Sequence, residues 1–186
     1  EGRCTVVWSD AVMQKSGMEK GFDSFLKEAR KMAKLRSIPS VVGVNSVFIQ
    51  NETAYIVMDF IEGETLLKKL QREGPMDYGT CISLMTPIMQ ALAEVHKHGI
   101  IHRDISPDNI MLTEESDSLK LIDFGTAKDL TPSDGRSRSY SMSHTVVRIN
   151  YSPIEMFSSA KKQPSADIYS LCATMYFCLT GAEPPS

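Results

Sequence analysis

The sequence lacks the features that mark disulfide-stabilised, zinc-binding and membrane-spanning proteins. Its four cysteines, Cys4, Cys81, Cys172 and Cys178, show no Cys-x-x-Cys spacing, so the sequence predicts neither a disulfide framework nor a zinc knuckle. The longest nearly apolar stretch, Ile168 to Leu179, is shorter than the ~20 residues that span a bilayer. These absences favour a reducing, cytoplasmic setting, and they also allow the chain to be the cytoplasmic part of a larger, membrane-anchored protein.

The sequence also lacks a large excess of charge of either sign, because it has 20 basic and 23 acidic residues and a net charge of −3. Such a chain has no electrostatic field with which to bind nucleic acid or anionic lipid, so we expect no nucleic-acid partner and no membrane contact from this segment. The 186 residues, 42% of them apolar, are enough for one hydrophobic core. Residue 1 is Glu rather than Met and no signal-like segment follows it, so we expect the chain to be a piece of a longer protein.

The pattern that is present predicts strands near the start and mostly helices after them. Helical spacing of apolar residues predicts a helix over about Gly21 to Leu35, and two β-rich runs, Val41–Ile49 and Ala54–Phe60, predict an antiparallel hairpin. The later predictions are a short helix Leu66–Arg72 capped by Thr65, a long helix from Asp77 to about His98, short apolar runs at Ile100–Ile101, Asn109–Leu112 and Leu119–Ile122, an exposed loop over 129–145, and a buried helix Ala166–Leu179. The predicted inner stripe of the long helix is Ile82, Met85, Ile88, Met89, Leu92 and Val95. This order indicates an α+β fold.

Two short signatures carry the chemistry of the chain. The first is His102-Arg103-Asp104-Ile105-Ser106-Pro107-Asp108-Asn109, and the second is Asp123-Phe124-Gly125. His-Arg-Asp with Asn five residues after the Asp, followed by Asp-Phe-Gly, is the catalytic and metal-binding signature of protein kinases, and the sequence resembles that family. Seven specified positions make a chance match rare, on the order of 10⁻⁷ or less per start position. Read without the family, Asp104 and Asp123 are also compatible with ordinary turn carboxylates.

The chemistry of phosphoryl transfer explains why these residue types are needed. Asn109 offers an amide oxygen and Asp123 a carboxylate, and both are hard ligands that suit Mg²⁺. Asp104 would accept the proton of the substrate hydroxyl, and a single tight loop would hold this base and the metal ligand at one separation. The resemblance therefore implies ATP and Mg²⁺ as cofactors.

The resemblance also assigns roles to two charged residues outside these acids. Glu28 stands where kinases have the helix glutamate that pairs with the phosphate-binding lysine, although a solvated pair with Lys31 is the alternative. Arg103 would bind a phosphate on the activation loop, and we expect autophosphorylation on the serine, threonine and tyrosine residues between 129 and 146. A polar loop without phosphate is the alternative.

The adenine pocket is implied by resemblance alone. Met58 would gate the pocket, Asp59 and Ile61 would present backbone groups to the adenine edge, and Met111 would form the floor. The implied organisation is a partial small lobe over residues 1–57, a hinge over 58–63, and a partial large lobe over 64–186.

Three further features follow from the resemblance. Asp167 would connect the catalytic loop, the segment His102–Asn109, to the predicted buried helix Ala166–Leu179. Alternatively, it is simply the N-terminal charge of that helix. Tyr151-Ser152-Pro153-Ile154-Glu155 resembles the Ala-Pro-Glu segment that closes the activation loop. A buried stack would comprise Met32, Val44, His102 and Phe124. That structural role for His102 competes with a metal site at His96-x-His98-x-x-x-His102.

The sequence departs from the family in three places. It has no Gly-x-Gly-x-x-Gly and no Val-Ala-Ile-Lys strand, so we expect both to precede Glu1. Ser106 stands where serine/threonine kinases usually have a lysine, and Arg148 stands where a threonine usually braces the loop. The expected fold is therefore an incomplete bilobal kinase fold that lacks its first small-lobe strands and its last large-lobe helices.

The implied function is transfer of the ATP γ-phosphate to serine or threonine hydroxyls of protein substrates. The fragment alone is expected to be nearly inactive, because it has neither the glycine loop nor the strand lysine. Two alternatives stay open: a non-catalytic kinase-like scaffold or sensor, and a small-molecule kinase on the same fold. Protein substrates and ATP are the expected partners, with a homodimer as the arrangement for autophosphorylation.

Overall fold

The computed structural model describes residues 29–50, 53–114, 118–124, 128–129, 150–157 and 163–185. Within these ranges, helix α1 comprises residues 29–34 and continues into the 3₁₀ turn Leu35–Ser37. The first part of the helix predicted over about Gly21 to Leu35 lies outside the described residues. The other helices are α2 (Leu66–Glu73), α3 (Tyr78–Lys97) and α4 (Ser165–Thr180). The strands are β1 (Val44–Gln50), β2 (Thr53–Met58), β3 (Gly63–Thr65), β4 (Ile100–Ile101), β5 (Ile110–Thr113), β6 (Leu119–Leu121) and β7 (Lys128–Asp129).

The predicted hairpin is confirmed, but its first strand begins later than predicted. Strands β1 and β2 pair antiparallel from Gln50 opposite Thr53 to Val44 opposite Met58. The residues just before β1 are bonded to β6 instead of β2. Val42 donates its backbone N–H to the Leu121 carbonyl at 2.9 Å, and Leu121 donates its own N–H to the Ser40 carbonyl at 2.8 Å. The segment after α1 therefore connects the hairpin to β6, the strand that leads to Asp123.

Helices α2 and α3 begin and end close to where the sequence predicts. The Thr65 hydroxyl accepts the Lys68 N–H at 3.3 Å, and an Asp77 carboxylate oxygen accepts the Thr80 N–H at 3.1 Å. Each bond satisfies one of the N–H groups that a helix start leaves without a partner. Helix α3 stops before Gly99, whose φ of +74° is left-handed and suits glycine.

The inner face of α3 differs in part from the predicted stripe. The buried residues are Cys81, Met85, Ile88, Ala91, Leu92 and Val95. The prediction for Met89 is wrong, since this side chain is 37% exposed, and Ile82 is only half-buried. The small residue Cys81 occupies the inner face because α3 packs there against α4, which places the Cys81 thiol beside that of Cys178. Burial raises the pKa of the Cys178 thiol to about 12.

Helix α4 is one residue longer at each end than predicted and is not buried all round. Its buried face carries Ala166, Asp167, Ser170, Leu171, Ala173, Thr174, Phe177 and Cys178. The opposite face exposes Ile168, Tyr169, Cys172, Tyr176 and Leu179. A helix that is apolar on both faces gives no periodic signal of which side is covered, so the sequence pattern overestimated its burial. Among the described residues, no helix is both long enough and apolar enough to cross a membrane.

A second sheet, of strand order β3-β5-β6, positions the functional residues. Gly63 lies opposite Thr113 with a φ of +153°, and a Cβ atom at Gly63 would overlap the backbone oxygen of Leu112. Glycine is therefore required at this point for β3 to approach β5. The sheet brings Thr65, just past the predicted hinge, opposite Met111, a predicted floor residue of the nucleotide pocket.

Candidate active site

The first signature forms a tight loop between β4 and β5. Ile101 and Ile105 are buried and anchor the loop in the core. The loop closes through the 3₁₀ turn Pro107–Asn109, in which Asn109 donates its backbone N–H to the Ser106 carbonyl at 3.0 Å. The second half of the signature is thus closed by a backbone hydrogen bond, and buried side chains hold the loop in the core.

Asp104 and Asn109 contact each other directly within this loop. The side-chain nitrogen Nδ2 of Asn109 donates to the backbone oxygen of Asp104 at 2.8 Å and to its carboxylate oxygen Oδ2 at 2.8 Å. The oxygen of the Asn109 amide accepts no hydrogen bond from the described residues, so it is available as a metal ligand. The amide therefore orients the carboxylate with one atom and offers the other atom to a cation.

Asp123 is placed beside Asn109 by the backbone of β6 and the residue after it. Ile122 donates its N–H to the backbone oxygen of Asn109 at 3.0 Å, and Asp123 follows with a φ of +60°. A left-handed conformation costs a non-glycine residue about 1–2 kcal/mol. Here it turns the backbone so that Asp123 is exposed while the next residue, Phe124, is buried. The resulting donor set, an amide oxygen and a carboxylate, fits Mg²⁺.

Asp167, at the start of α4, holds the backbone of the first signature. Its carboxylate accepts the His102 N–H at 2.9 Å, the Arg103 N–H at 2.8 Å and the His96 Nε2–H at 2.8 Å. The predicted link between catalytic loop and central helix is therefore confirmed. Arg103 has a φ of +74°, and its bond to Asp167 helps to hold this left-handed conformation.

The bond from His96 to Asp167 has no signal in the sequence pattern. His96 ends α3, where a basic side chain is already explained by the helix dipole, so nothing in the local pattern indicated a buried partner. The alternative of a metal site at His96, His98 and His102 is wrong, because within the described ranges no group of three or more His, Cys, Asp or Glu side chains could hold a metal ion.

His102 is a neutral, structural side chain. Its Nε2 bonds to the carbonyl oxygen of Ile122 at 3.1 Å, and its Nδ1 accepts the backbone N–H of Asp104 at 3.3 Å. Because Nδ1 is an acceptor, the proton resides on Nε2. The ring centroid lies 4.4 Å from that of Phe124, and complete burial lowers the pKa of the imidazole. Met32 and Val44, the other members of the predicted stack, are buried in the same core.

The neutral state of His102 predicts a pH dependence of stability. In the unfolded chain a histidine binds a proton below about pH 6.5, whereas the folded protein resists that proton, so the unfolded state binds more protons and stability falls as the pH drops. We expect the midpoint of thermal unfolding to fall between about pH 7.5 and about pH 5.5 by more than in a His102→Phe variant, which keeps a ring beside Phe124. Equal decreases in the two proteins would contradict this assignment.

Comparison with known proteins identifies the family. Residues 9–186 match the protein kinase domain. The chain belongs to the protein kinase family. It is 37% identical over 163 residues to a probable serine/threonine-protein kinase of Clostridium perfringens. The matched segment covers 86% of this chain and 22% of the relative. It is 33% identical over 161 residues to the probable serine/threonine-protein kinase PknB of Lactococcus lactis, with 86% of this chain and 25% of the relative covered.

A third relative extends the similarity to another group of bacteria. The serine/threonine-protein kinase PknL of Mycobacterium tuberculosis is 30% identical over 169 residues, which is 91% of this chain and 41% of the relative. The chain thus spans less than half the length of each of these relatives. The predicted α+β, protein-kinase-like fold class is confirmed by the family match and by the mixture of helices and sheets.

The four residues predicted to contact adenine lie on neighbouring elements of this kinase fold. Met58 ends β2 and is half-buried, Asp59 is exposed, and Ile61 is half-buried in the segment before β3. Met111 is half-buried in β5, opposite Thr65 of β3. The second sheet therefore brings the predicted hinge and the predicted floor together, and their roles stay predictions.

Several other predicted features have a mixed outcome. Glu28, Arg148 and nearly all of the predicted loop over 129–145 lie outside the described residues, and Asp129, its first residue, belongs to β7. Arg103 is half-buried, and its role in binding a phosphate stays a prediction. Ser106, in the place of the usual lysine, is fully buried, and its hydroxyl has no hydrogen-bond partner among the described residues.

The segment resembling Ala-Pro-Glu packs Tyr151 into the hydrophobic core. Tyr151, Ser152 and Pro153 are buried, whereas Ile154 is exposed. Burial and the neighbouring carboxylate of Glu183 raise the pKa of Tyr151, and Asp108 of the catalytic loop contributes in the same direction. The contact with Glu183 links this segment to the residues after α4 and had no signal in the sequence pattern.

Proposed function

We propose that the full-length protein containing this chain is a serine/threonine protein kinase that transfers the γ-phosphoryl group of ATP to protein hydroxyls. The observation that carries the proposal is the paired hydrogen bond from Asn109 to Asp104, which holds on one loop a carboxylate and an amide oxygen that accepts no hydrogen bond from the described residues. Phosphoryl transfer depends mainly on positioning and charge stabilisation, and this loop supplies both.

In the proposed reaction, Asp104 orients the substrate hydroxyl and takes its proton. The hydroxyl oxygen bonds to the γ-phosphorus while the bond from that phosphorus to the bridging oxygen of ADP breaks. The hydrogen bond from Asn109 keeps the Asp104 carboxylate in one orientation, and His102 supports the loop by accepting the Asp104 N–H. Asn109 and Asp123 would hold Mg²⁺, which when bound neutralises charge on the phosphates.

The finer parts of the proposal concern nucleotide, regulation and location. Met58, Asp59, Ile61 and Met111 would enclose the adenine. Arg103 would bind a phosphate added within residues 129–146, by a second copy of the protein in a homodimer. The site would operate in the cytoplasm. The names of the relatives support the choice of protein serine and threonine as acceptors.

The test is ATP-dependent labelling by the full-length protein. With γ-labelled ATP, Mg²⁺ and a generic protein substrate, we expect label on phosphoserine or phosphothreonine after acid hydrolysis, and no label when a chelator removes the metal. Label on a small molecule such as an aminoglycoside, with none on protein, would favour the small-molecule kinase. Absence of labelling with either acceptor, despite nucleotide binding, would favour the non-catalytic scaffold.

A further inference from the structure

The first residue after β2 is held by two hydrogen bonds to the start of β1. Asp59 donates its backbone N–H to the carbonyl of Gly43 at 2.8 Å, and its carboxylate oxygen Oδ1 accepts the side-chain Nδ2–H of Asn45 at 2.7 Å. Asn45 is the irregular residue of β1, because the register shifts between Val44 and Ser46. A bulge of this kind redirects a side chain, and here it directs the Asn45 amide toward Asp59 in the predicted hinge.

Gly43 provides the space for this arrangement. It is buried, and a Cβ atom on it would overlap the Asp59 carboxylate oxygen Oδ2; the three nearest atoms to that position all belong to the side chains of Asp59 and Arg36. The carboxylate therefore lies over the glycine, in a place that any larger residue would occupy. Three residues, Gly43, Asn45 and Asp59, form one unit, which is called the hinge latch below.

We propose that the hinge latch determines the preference of the site for adenine over guanine, an inference that rests on the proposed function. Asp59 is a predicted adenine-contacting residue through its backbone groups. The latch restrains Asp59 by both its backbone and its side chain, so the direction of its carbonyl is set before the nucleotide binds. Groups fixed in advance bind a ligand at a lower cost in entropy than mobile ones.

The chemistry of the bases explains why a fixed carbonyl would discriminate. Adenine carries an amino group, a donor, at the position where guanine carries a carbonyl oxygen, an acceptor. A carbonyl held in place attracts the first and repels the second, whereas a mobile carbonyl turns away from guanine and tolerates it. Sites built around one hydrogen bond discriminate strongly against a ligand that cannot make it.

The test compares the dissociation constants of ATP and GTP for the full-length protein by titration calorimetry. We expect Asn45→Ala to reduce the preference for ATP by about three- to tenfold, which corresponds to the net contribution of one hydrogen bond, here a solvent-exposed one. The turnover number with saturating ATP should stay within about twofold, because Asn45 is proposed to act on selection of the base and not on the transfer step.

Matched variants separate the hydrogen bond from charge and from general destabilisation. Asp59→Asn keeps an oxygen that accepts from Asn45 and should keep the preference, whereas Asp59→Ala should lose it. Gly43→Ala displaces the carboxylate and should act like Asn45→Ala, but it should add nothing in the Asp59→Ala background, where no carboxylate remains. Ser46→Ala, an exposed neighbour in β1, is the control and should change nothing.

Two results would overturn the hinge latch. The first is an unchanged ratio of the two dissociation constants in Asn45→Ala and Gly43→Ala. The second is an equal weakening of both nucleotides together with a lower unfolding temperature, which indicates a purely structural role. If the unmodified protein binds ATP but transfers no phosphoryl group, the proposed function fails while the binding ratio still decides the latch. Binding of neither nucleotide overturns both.

Discussion

Replacing Asp104 with asparagine should lower the rate of phosphoryl transfer by about 10²–10⁴-fold, the usual contribution of a positioned general base. The substitution changes the chemistry with little effect on the loop. The Oδ oxygen of the new asparagine can still accept from Asn109 Nδ2, and the bond from Asn109 to the backbone oxygen of residue 104 is unaffected. What is lost is the negative charge and the ability to take a proton.

The measurement is the initial rate of labelling of a protein substrate by the full-length protein at saturating ATP. The matched control is Asp108→Asn, the same chemical change four residues later on the same loop, for which we expect a rate within about threefold of the unmodified protein. The unfolding temperature and the ATP dissociation constant should be unchanged in Asp104→Asn. Equal labelling by Asp104→Asn and the unmodified protein would rule out Asp104 as the base.

Replacing Asp167 with asparagine should reduce the free energy of unfolding by about 2–4 kcal/mol. The two oxygens of this fully buried carboxylate accept three donors, from His96, His102 and Arg103. An asparagine offers one oxygen, and its amino group would face an N–H that it cannot bond. At least one buried donor is then left without an acceptor.

The control for this second variant is Glu94→Gln, which removes a carboxylate of α3 that is half-exposed and paired with Lys97 at 2.7 Å. A surface pair of this kind contributes about 0–1 kcal/mol, so a small change is expected in chemical denaturation. Asp167→Asn should also slow phosphoryl transfer, since the backbone of residues 102 and 103 loses its anchor. A loss of stability no larger than that of Glu94→Gln would show that Asp167 is not the anchor.

Local sequence patterns predicted the elements of this member of the protein kinase family well. The caps at Thr65 and Asp77 and the glycine after α3 are short-range signals, and each acts within one turn of the residue that carries it. Errors arose where burial depends on a distant partner. Met89 was predicted to face inward and α4 to be buried all round, because periodicity reports which residues are apolar and not which neighbour covers them.

In the candidate site, too, some features are predictable from local sequence and others depend on the folded backbone. Asp104, Asn109 and Asp123 stand in spacings that are diagnostic of the family, so the sequence predicted them without a structure. The bond between Asn109 and Asp104 spans five residues, and a tight loop alone nearly dictates it. The outward turn of Asp123 depends on its left-handed backbone, which the residue type does not indicate.

By itself, therefore, the sequence determined the family of this protein, its α+β plan and the residues proposed to perform its chemistry, because these are encoded in short spacings. Only the tertiary structure decided which groups support them. His96 lies 71 residues from Asp167, and Asn45 lies 14 residues from Asp59. Such pairs form when separate elements pack, and their hydrogen bonds follow from the packed geometry and not from any local preference of the chain.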